Sequence, residues 1–319
     1  MDNWENQRRD WRDYLILSGK GVMMGAADAV PGVSGGTIAF MTGIYEELIG
    51  SLKRCGPEAV QVLFKEGIGP TWRYVNGPFL LTLLLGILFS VTTFARGVLF
   101  LLANYPEMLW SFFFGLILAS SWLVARQIED WRGNAFTAFL TGTVLAYMVT
   151  SIAPAAVEPT SLMVFFSGMI AICAMILPGI SGSFILLLLG MYAPILGAVK
   201  SMDIPVLALF AVGCVIGLLS FSRVLNWMFA SYRVTTLALL GGFMLGSLNK
   251  VWPWKYTTAY TINRHGEEVP LVQENILPGS YEIMTGQNAY LSISLALMVL
   301  GAILVIVLAR SAGTKPSQG

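Results

Sequence analysis

ADAVPGVSGGTIAFMTGIYEELIGSLK, residues 27–53, returns at residues 174–200 as AMILPGISGSFILLLLGMYAPILGAVK. Pro31, Gly32, Ser34, Gly35, Gly43, Tyr45 and Lys53 meet Pro178, Gly179, Ser181, Gly182, Gly190, Tyr192 and Lys200, each 147 positions on (27 to 174). Further along, Pro78, Gly86, Phe94, Arg96, Tyr105 and Gly115 meet Pro205, Gly213, Phe221, Arg223, Tyr232 and Gly242 at a spacing of 127 (78 to 205). The difference is an extra stretch between Arg54 and Gly77 in the first copy. Apolar sequence repeats Gly and Leu readily, but not a paired PGxSG followed by a paired arginine, so the chain reads as a duplication.

Both copies are set in sequence suited to lipid. The chain is 56% hydrophobic and 12% charged with a mean hydropathy of +0.71, where soluble domains carry about 25% charged residues. A net charge of +1 leaves no basic excess for a nucleic-acid partner. Crossing ~30 Å of hydrocarbon takes about 20 apolar residues. Segments 79–103, 108–124, 135–153, 204–221, 234–248 and 290–309 make six ordinary crossings. Regions 14–52 and 162–199 are nearly two spans long and are broken centrally by Pro-Gly, which marks helical hairpins. Arms of about sixteen residues cover roughly 24 Å, which favours re-entrant hairpins; a tight turn between two full spans is the plainer alternative.

The distribution of Lys and Arg sets the orientation. With the N-terminus inside, Arg8, Arg9, Arg12, Lys53, Arg54, Arg126, Arg223, Arg233 and Arg310 fall inside, and Lys200, Lys250, Lys255 and Arg264 fall outside. Both termini are then cytoplasmic, and the basic start has no cleavable apolar run behind it. A hairpin plus three crossings is an odd number, so the second copy is inverted relative to the first. Many secondary transporters are built this way, with a site near the midplane opened alternately to either side. The expected fold class is an all-α integral membrane protein, an inverted-repeat transporter with two Pro-Gly-broken re-entrant hairpins and about six full transmembrane helices. One repeat covers 14–153 and the other 162–309 within a single membrane domain 1–319; an extracytoplasmic loop runs over 251–288. In that loop Trp252, Trp254, Tyr256 and Tyr260 read as an interfacial belt, or as a lid over a lipid entrance, with 257–272 forming a small strand hairpin about His265-Gly266.

The chemistry falls on the breaks. In PGVSGG (31–36) and PGISGS (178–183), proline stops the first arm, glycine frees the backbone, and serine caps the next half-helix. Buried helix N-termini of this kind carry about half a positive charge and bind phosphate. The expected phosphate site is Pro31, Gly32, Ser34, Gly35, Gly36 and Thr37 with Gly179, Ser181, Gly182 and Ser183. Arg96, inside a span, and its counterpart Arg223 add guanidinium groups suited to bidentate phosphate recognition. Asp28, Glu46 and Glu47 are candidates for proton coupling, since carboxylates in a low-dielectric setting exchange protons near neutral pH. The plainer readings are a cytoplasmic anchor for Arg223 and water-facing carboxylates for Glu46 and Glu47. His265 is the only histidine, and Cys55, Cys173 and Cys214 are far apart, so no metal or other cofactor is expected.

Over nearly its whole length, and above all in ADAVPGVSGGTIAFMTGIYEELI and LPGISGSFILLLLGMY, the chain resembles the bacterial polyprenyl-phosphate transporter family PopT. The resemblance implies a multi-pass protein of the bacterial cytoplasmic membrane that returns undecaprenyl phosphate from the outer to the inner leaflet for reuse in peptidoglycan and other envelope polymers. Its partners would be that lipid and the surrounding membrane; the oligomeric state stays open. Undecaprenyl-diphosphate phosphatases also carry a PGxS-type loop, but with an arginine after the serine, where Gly35 and Gly182 stand here. A phosphatase and a small-anion carrier are the rival readings.

Overall fold

The computed structural model describes residues 10–28, 34–93, 95–128, 130–131, 133–152, 159–262 and 268–311. In chain order the elements are α1 (Trp11–Asp28), α2 (Gly35–Met41), α3 (Tyr45–Arg54), α4 (Pro57–Glu66), α5 (Ile68–Tyr74), α6 (Gly77–Thr93), α7 (Ala95–Asn104), α8 (Pro106–Ala125) and α9 (Asn134–Ser151). The second half continues with α10 (Ser161–Ile176), α11 (Gly182–Leu188), α12 (Tyr192–Ser201), α13 (Ile204–Ser231), α14 (Arg233–Ser247), β1 (Lys255–Ile262), β2 (Glu268–Asn275), α15 (Pro278–Thr285) and α16 (Leu291–Ser311).

The expected crossings fall on helical sequence, 79–103 on two helices, α6 and α7, with Phe94 between them outside the described residues. The chain is an α-helical membrane protein: α8 and α13 are each long and apolar enough to cross a bilayer, and the bent pairs α5–α6 and α11–α12 meet the same measure only together. Segment 161–176, helix α14 and 291–307 are apolar but shorter. Two expectations need correction. The crossing placed at 204–221 runs on to Ser231, because FSRVLNWMFAS contains no proline or glycine to stop it. The second arm of each hairpin is also not one helix. It breaks again after α2 and after α11, with 113° between α11 and α12. At both breaks a glycine takes a left-handed conformation, Gly43 at φ +71° and Gly190 at φ +67°. Ile44 N–H then reaches back to Ala39 O at 3.0 Å and Met191 N–H to Leu186 O at 2.8 Å, the bonding of a Schellman stop.

The segments that follow the two breaks fold alike. Helices α2 and α11 are seven residues each, α3 and α12 ten each. The pairing of helices is alike too: α1 packs on α6 and α10 on α13, while α8 packs on α16 and α14 on α9. The middle crossing of each half thus takes its main partner from the other half. Glycine permits these contacts. A Cβ on Gly86 would lie 2.4 Å from Ser18 O, and one on Gly213 would lie 2.1 Å from Phe165 O. Small residues that let backbones touch are the usual basis of helix association in lipid, where apolar burial gives no net drive. Phe79, Ile117, Leu225, Leu240, Met244 and Val305, all buried, fill one core across both halves, while Leu84, Leu85, Leu88, Val212, Val215 and Val299 face outward.

Helices α4 and α5 occupy the extra stretch of the first half, which the sequence reading left without structure. The strands β1 and β2 pair antiparallel and are longer than expected; the His265-Gly266 turn lies outside the described residues. The tryptophans do not form an outward belt. Trp254 is buried with Nε1 donating to Ala289 O at 2.9 Å, and Trp252 Nε1 donates to Ile276 O at 2.8 Å, so both pin the loop onto the bundle. Trp254→Phe keeps an aromatic side chain but loses the indole's pyrrole ring and leaves the Ala289 carbonyl unanswered. It should cost about 1–3 kcal/mol or more, read as a lower melting temperature in detergent.

Candidate functional site

The two breaks meet. Ser34 caps α2, its Oγ accepting from Gly36 N–H at 3.0 Å, and the same hydroxyl donates to Met175 O at the end of α10, 2.9 Å away. In return Gly179 N–H donates to Thr37 Oγ1 at 2.9 Å. These bonds join residues more than 140 positions apart, and Ser34, Thr37 and Ser181 are all buried. The fit is close: a Cβ on Gly36 would stand 2.5 Å from Ile176 O. Gly179, at φ +91°, leaves no room for a side chain against Ser247 Oγ and Phe243 O on α14. On the second loop Ser181 and Ser183 share a hydrogen bond of 2.8 Å, and Gly182 opens α11.

Asp28 closes the first loop. Its Oδ1 accepts from Gly35 N–H at 2.7 Å, so a carboxylate already sits on the positive end of α2. At the other end of α2, Lys20 Nζ donates to Thr42 O at 2.7 Å, so a cation answers the exposed carbonyls. Both ends of this seven-residue helix are therefore met by charge of the opposite sign, which sequence spacing alone did not show.

The remaining expected residues are spread out. Glu47 is buried and accepts from Asn76 Nδ2 at 2.9 Å, whereas Glu46 faces outward in a 2.7 Å ion pair with Arg233. Water-facing thus fits Glu46 and not Glu47. Arg223 is bound to Glu58 at 3.0 Å and to Leu219 O at 3.1 Å, beside α4, with none of its described hydrogen bonds to either loop. Glu58 is correspondingly held below the usual carboxylate range by its own backbone N–H and by Arg223. Arg96 lies on α7, and its side chain, like Pro31 and Gly32, is outside the described residues. Among the described residues no group of three His, Cys, Asp or Glu side chains converges.

A family model described as undecaprenyl phosphate translocase-like matches residues 24–269. A polyprenyl-phosphate transporter of Vibrio cholerae is 50% identical over 300 residues, covering 94% of this chain and 97% of the relative. A polyprenyl-phosphate transporter of Staphylococcus aureus is 29% identical over 268 residues, covering 77% of this chain and 88% of the relative. No solved structure matches the chain. With the match running through both crossed loops and every helix between them, the chain belongs to the undecaprenyl phosphate translocase-like family.

Proposed function

We propose that the chain moves undecaprenyl phosphate, chemically unchanged, from the outer to the inner leaflet of the bacterial cytoplasmic membrane. The observation that carries this reading is the crossing of the two PGxSG breaks, each giving hydrogen bonds to the other. A phosphate monoester needs backbone N–H donors inside the bilayer, and broken helices supply them only where protein surrounds the break. The shared lengths of α2 with α11 and α3 with α12, and the shared pairings, support two copies, 14–153 and 162–309. The odd number of crossings argues that they are inverted, and the Lys and Arg distribution that both termini are cytoplasmic. The loop 251–288 is then extracytoplasmic.

Asp28 gives the proposal a coupling step. While its carboxylate holds Gly35 N–H, a phosphate anion meets like charge at the same donors. A proton taken up by Asp28 from the outer side removes that charge, and the phosphate takes the Gly35 N–H. On the cytoplasmic side the phosphate leaves, Asp28 gives its proton to the cytoplasm, and the carboxylate returns to Gly35. Glu47, buried against Asn76, is the second candidate for carrying the proton. Arg96 and Arg223 guide the phosphate along the path, Arg223 after leaving Glu58.

Flipping of labelled undecaprenyl phosphate in sealed proteoliposomes tests the reading, with phosphate release followed in the same vesicles. Wild type is expected to flip without release, and Arg96→Ala and Arg223→Ala to slow flipping about tenfold or more, as loss of a charge-assisted contact predicts. Release of phosphate from the diphosphate form would instead identify a phosphatase, and neither activity would leave no lipid-phosphate transport to explain.

A further inference from the structure

A second cationic place lies between the strand hairpin and the helices. Lys255, on β1, holds its Nζ 4.2 Å from the centre of the Trp110 ring on α8 and donates to Lys250 O at 2.6 Å. Lys250, just past α14, holds its own Nζ 4.4 Å from the centre of the Phe184 ring. Among the described residues neither amine is paired with a carboxylate. Glu107, one turn from Trp110, is buried and engaged by the hydroxyl of Tyr281. Burial pushes both amines below the ordinary lysine range, Lys255 well below and further still because of the Lys250 charge. Two partly buried amines without an acid are costly to charge, and an arriving anion restores the charge to both.

A mostly apolar groove of about 450 Å³, walled by Phe114, Tyr147, Leu245, Trp252 and Leu277, reaches Asn249, next to Lys250 in the chain, and Asn275, the strand partner of Lys255. Phe114 stands one helical turn from Trp110, so groove and amines share a face of α8. Tyr147, on α9, is 56% exposed, and the groove is open at the surface rather than enclosed. Phe184 is in the first turn of α11, so Lys250 also borders the second broken loop.

We propose that Lys250 and Lys255 receive the phosphate monoester of a membrane lipid, with the groove beside Trp252 taking the first part of its apolar chain. This rests on the transport reading above and adds where the headgroup is first held, on the side that reading makes extracytoplasmic. A lipid and free phosphate offer the same anion, and only the lipid fills the groove.

Geranyl phosphate, geraniol and inorganic phosphate can be titrated separately into the purified full-length chain, with two readouts. Trp110, Trp252 and Trp254 report binding by fluorescence, and acylation of lysines by a membrane-impermeant ester, followed by mass spectrometry, reports which amines are covered. Geranyl phosphate is expected to protect Lys250 and Lys255, and Lys250→Gln with Lys255→Gln to weaken its binding about tenfold or more in protein that still folds. Absence of protection in wild type overturns the proposal, which keeps the test decisive if the double variant does not fold. Binding by the folded double variant within about threefold of wild type overturns it as well. Equal protection by inorganic phosphate at the same concentration would show a free-anion site and overturn the lipid assignment. Failure of the transport reading looks different: geranyl phosphate would protect both lysines while the wild type left undecaprenyl phosphate unflipped.

Discussion

Asp28→Asn is expected to slow the flipping of undecaprenyl phosphate by about ten- to a hundredfold, the equivalent of one charged hydrogen bond of roughly 1.5–3 kcal/mol. The amide keeps an oxygen facing Gly35 N–H but cannot carry a charge, so phosphate enters without a proton and meets no returning carboxylate to displace it. Binding should therefore tighten while turnover falls, and the rate should lose its response to pH between the two sides of the vesicle. Glu46→Gln is the control, since Glu46 sits outside in a surface pair with Arg233, worth about 0–1 kcal/mol. An Asp28→Asn chain that flips at the wild-type rate with the wild-type response to pH would remove Asp28 from the mechanism.

Gly115→Leu and Gly242→Leu should each prevent stable folding. A Cβ at Gly115 would lie 1.9 Å from Met298 O, and one at Gly242 would lie 2.1 Å from Phe139 O. Both obstacles are backbone of a neighbouring helix, so no side chain can turn aside and the helices themselves must part. Overpacking at a well-packed contact costs about 1–3 kcal/mol, and separating a whole helix pair adds lost contacts along its length, so a loss above about 4 kcal/mol is expected. Gly97 has nothing within 4 Å of its Cβ position, and Gly97→Ala on α7 should be neutral or mildly stabilising. Thermal melting and size-exclusion profiles in detergent separate the cases; a monodisperse Gly242→Leu protein with wild-type melting would contradict the packing argument.

The repeat was legible because it is local pattern twice over, and it aligned helix starts: the spacing of 127 carries Pro106 onto Arg233, the first residues of α8 and α14. The stops at Gly43 and Gly190 were present in the alignment yet passed unread, since an apolar run with one glycine looks continuous until the left-handed turn is formed. Helices α4 and α5 were missed because seven to ten residues fall below any span-length window. The loops were legible as phosphate-binding shapes. Their mutual contact was not, because Ser34 and Met175 are joined by the fold rather than by the chain. Arg223 shows the reverse: its alignment with Arg96 suggested a shared role, and only the long-range partner Glu58 revealed what holds it. Lys250 and Lys255 looked like ordinary positive loop residues, because two amines lying on aromatic rings from α11 and α8 have no signature in sequence.

The exchange of partners between halves has a consequence for biosynthesis. Helix α8 leaves the ribosome early, but the surface that covers Gly115 belongs to α16, made long after it. For most of translation α8 must wait in the membrane with its small-residue face against lipid or an insertase. A chain cut before Leu291 would leave that face uncovered, so quality control has a clear mark to read: a long apolar helix whose main partner has not arrived.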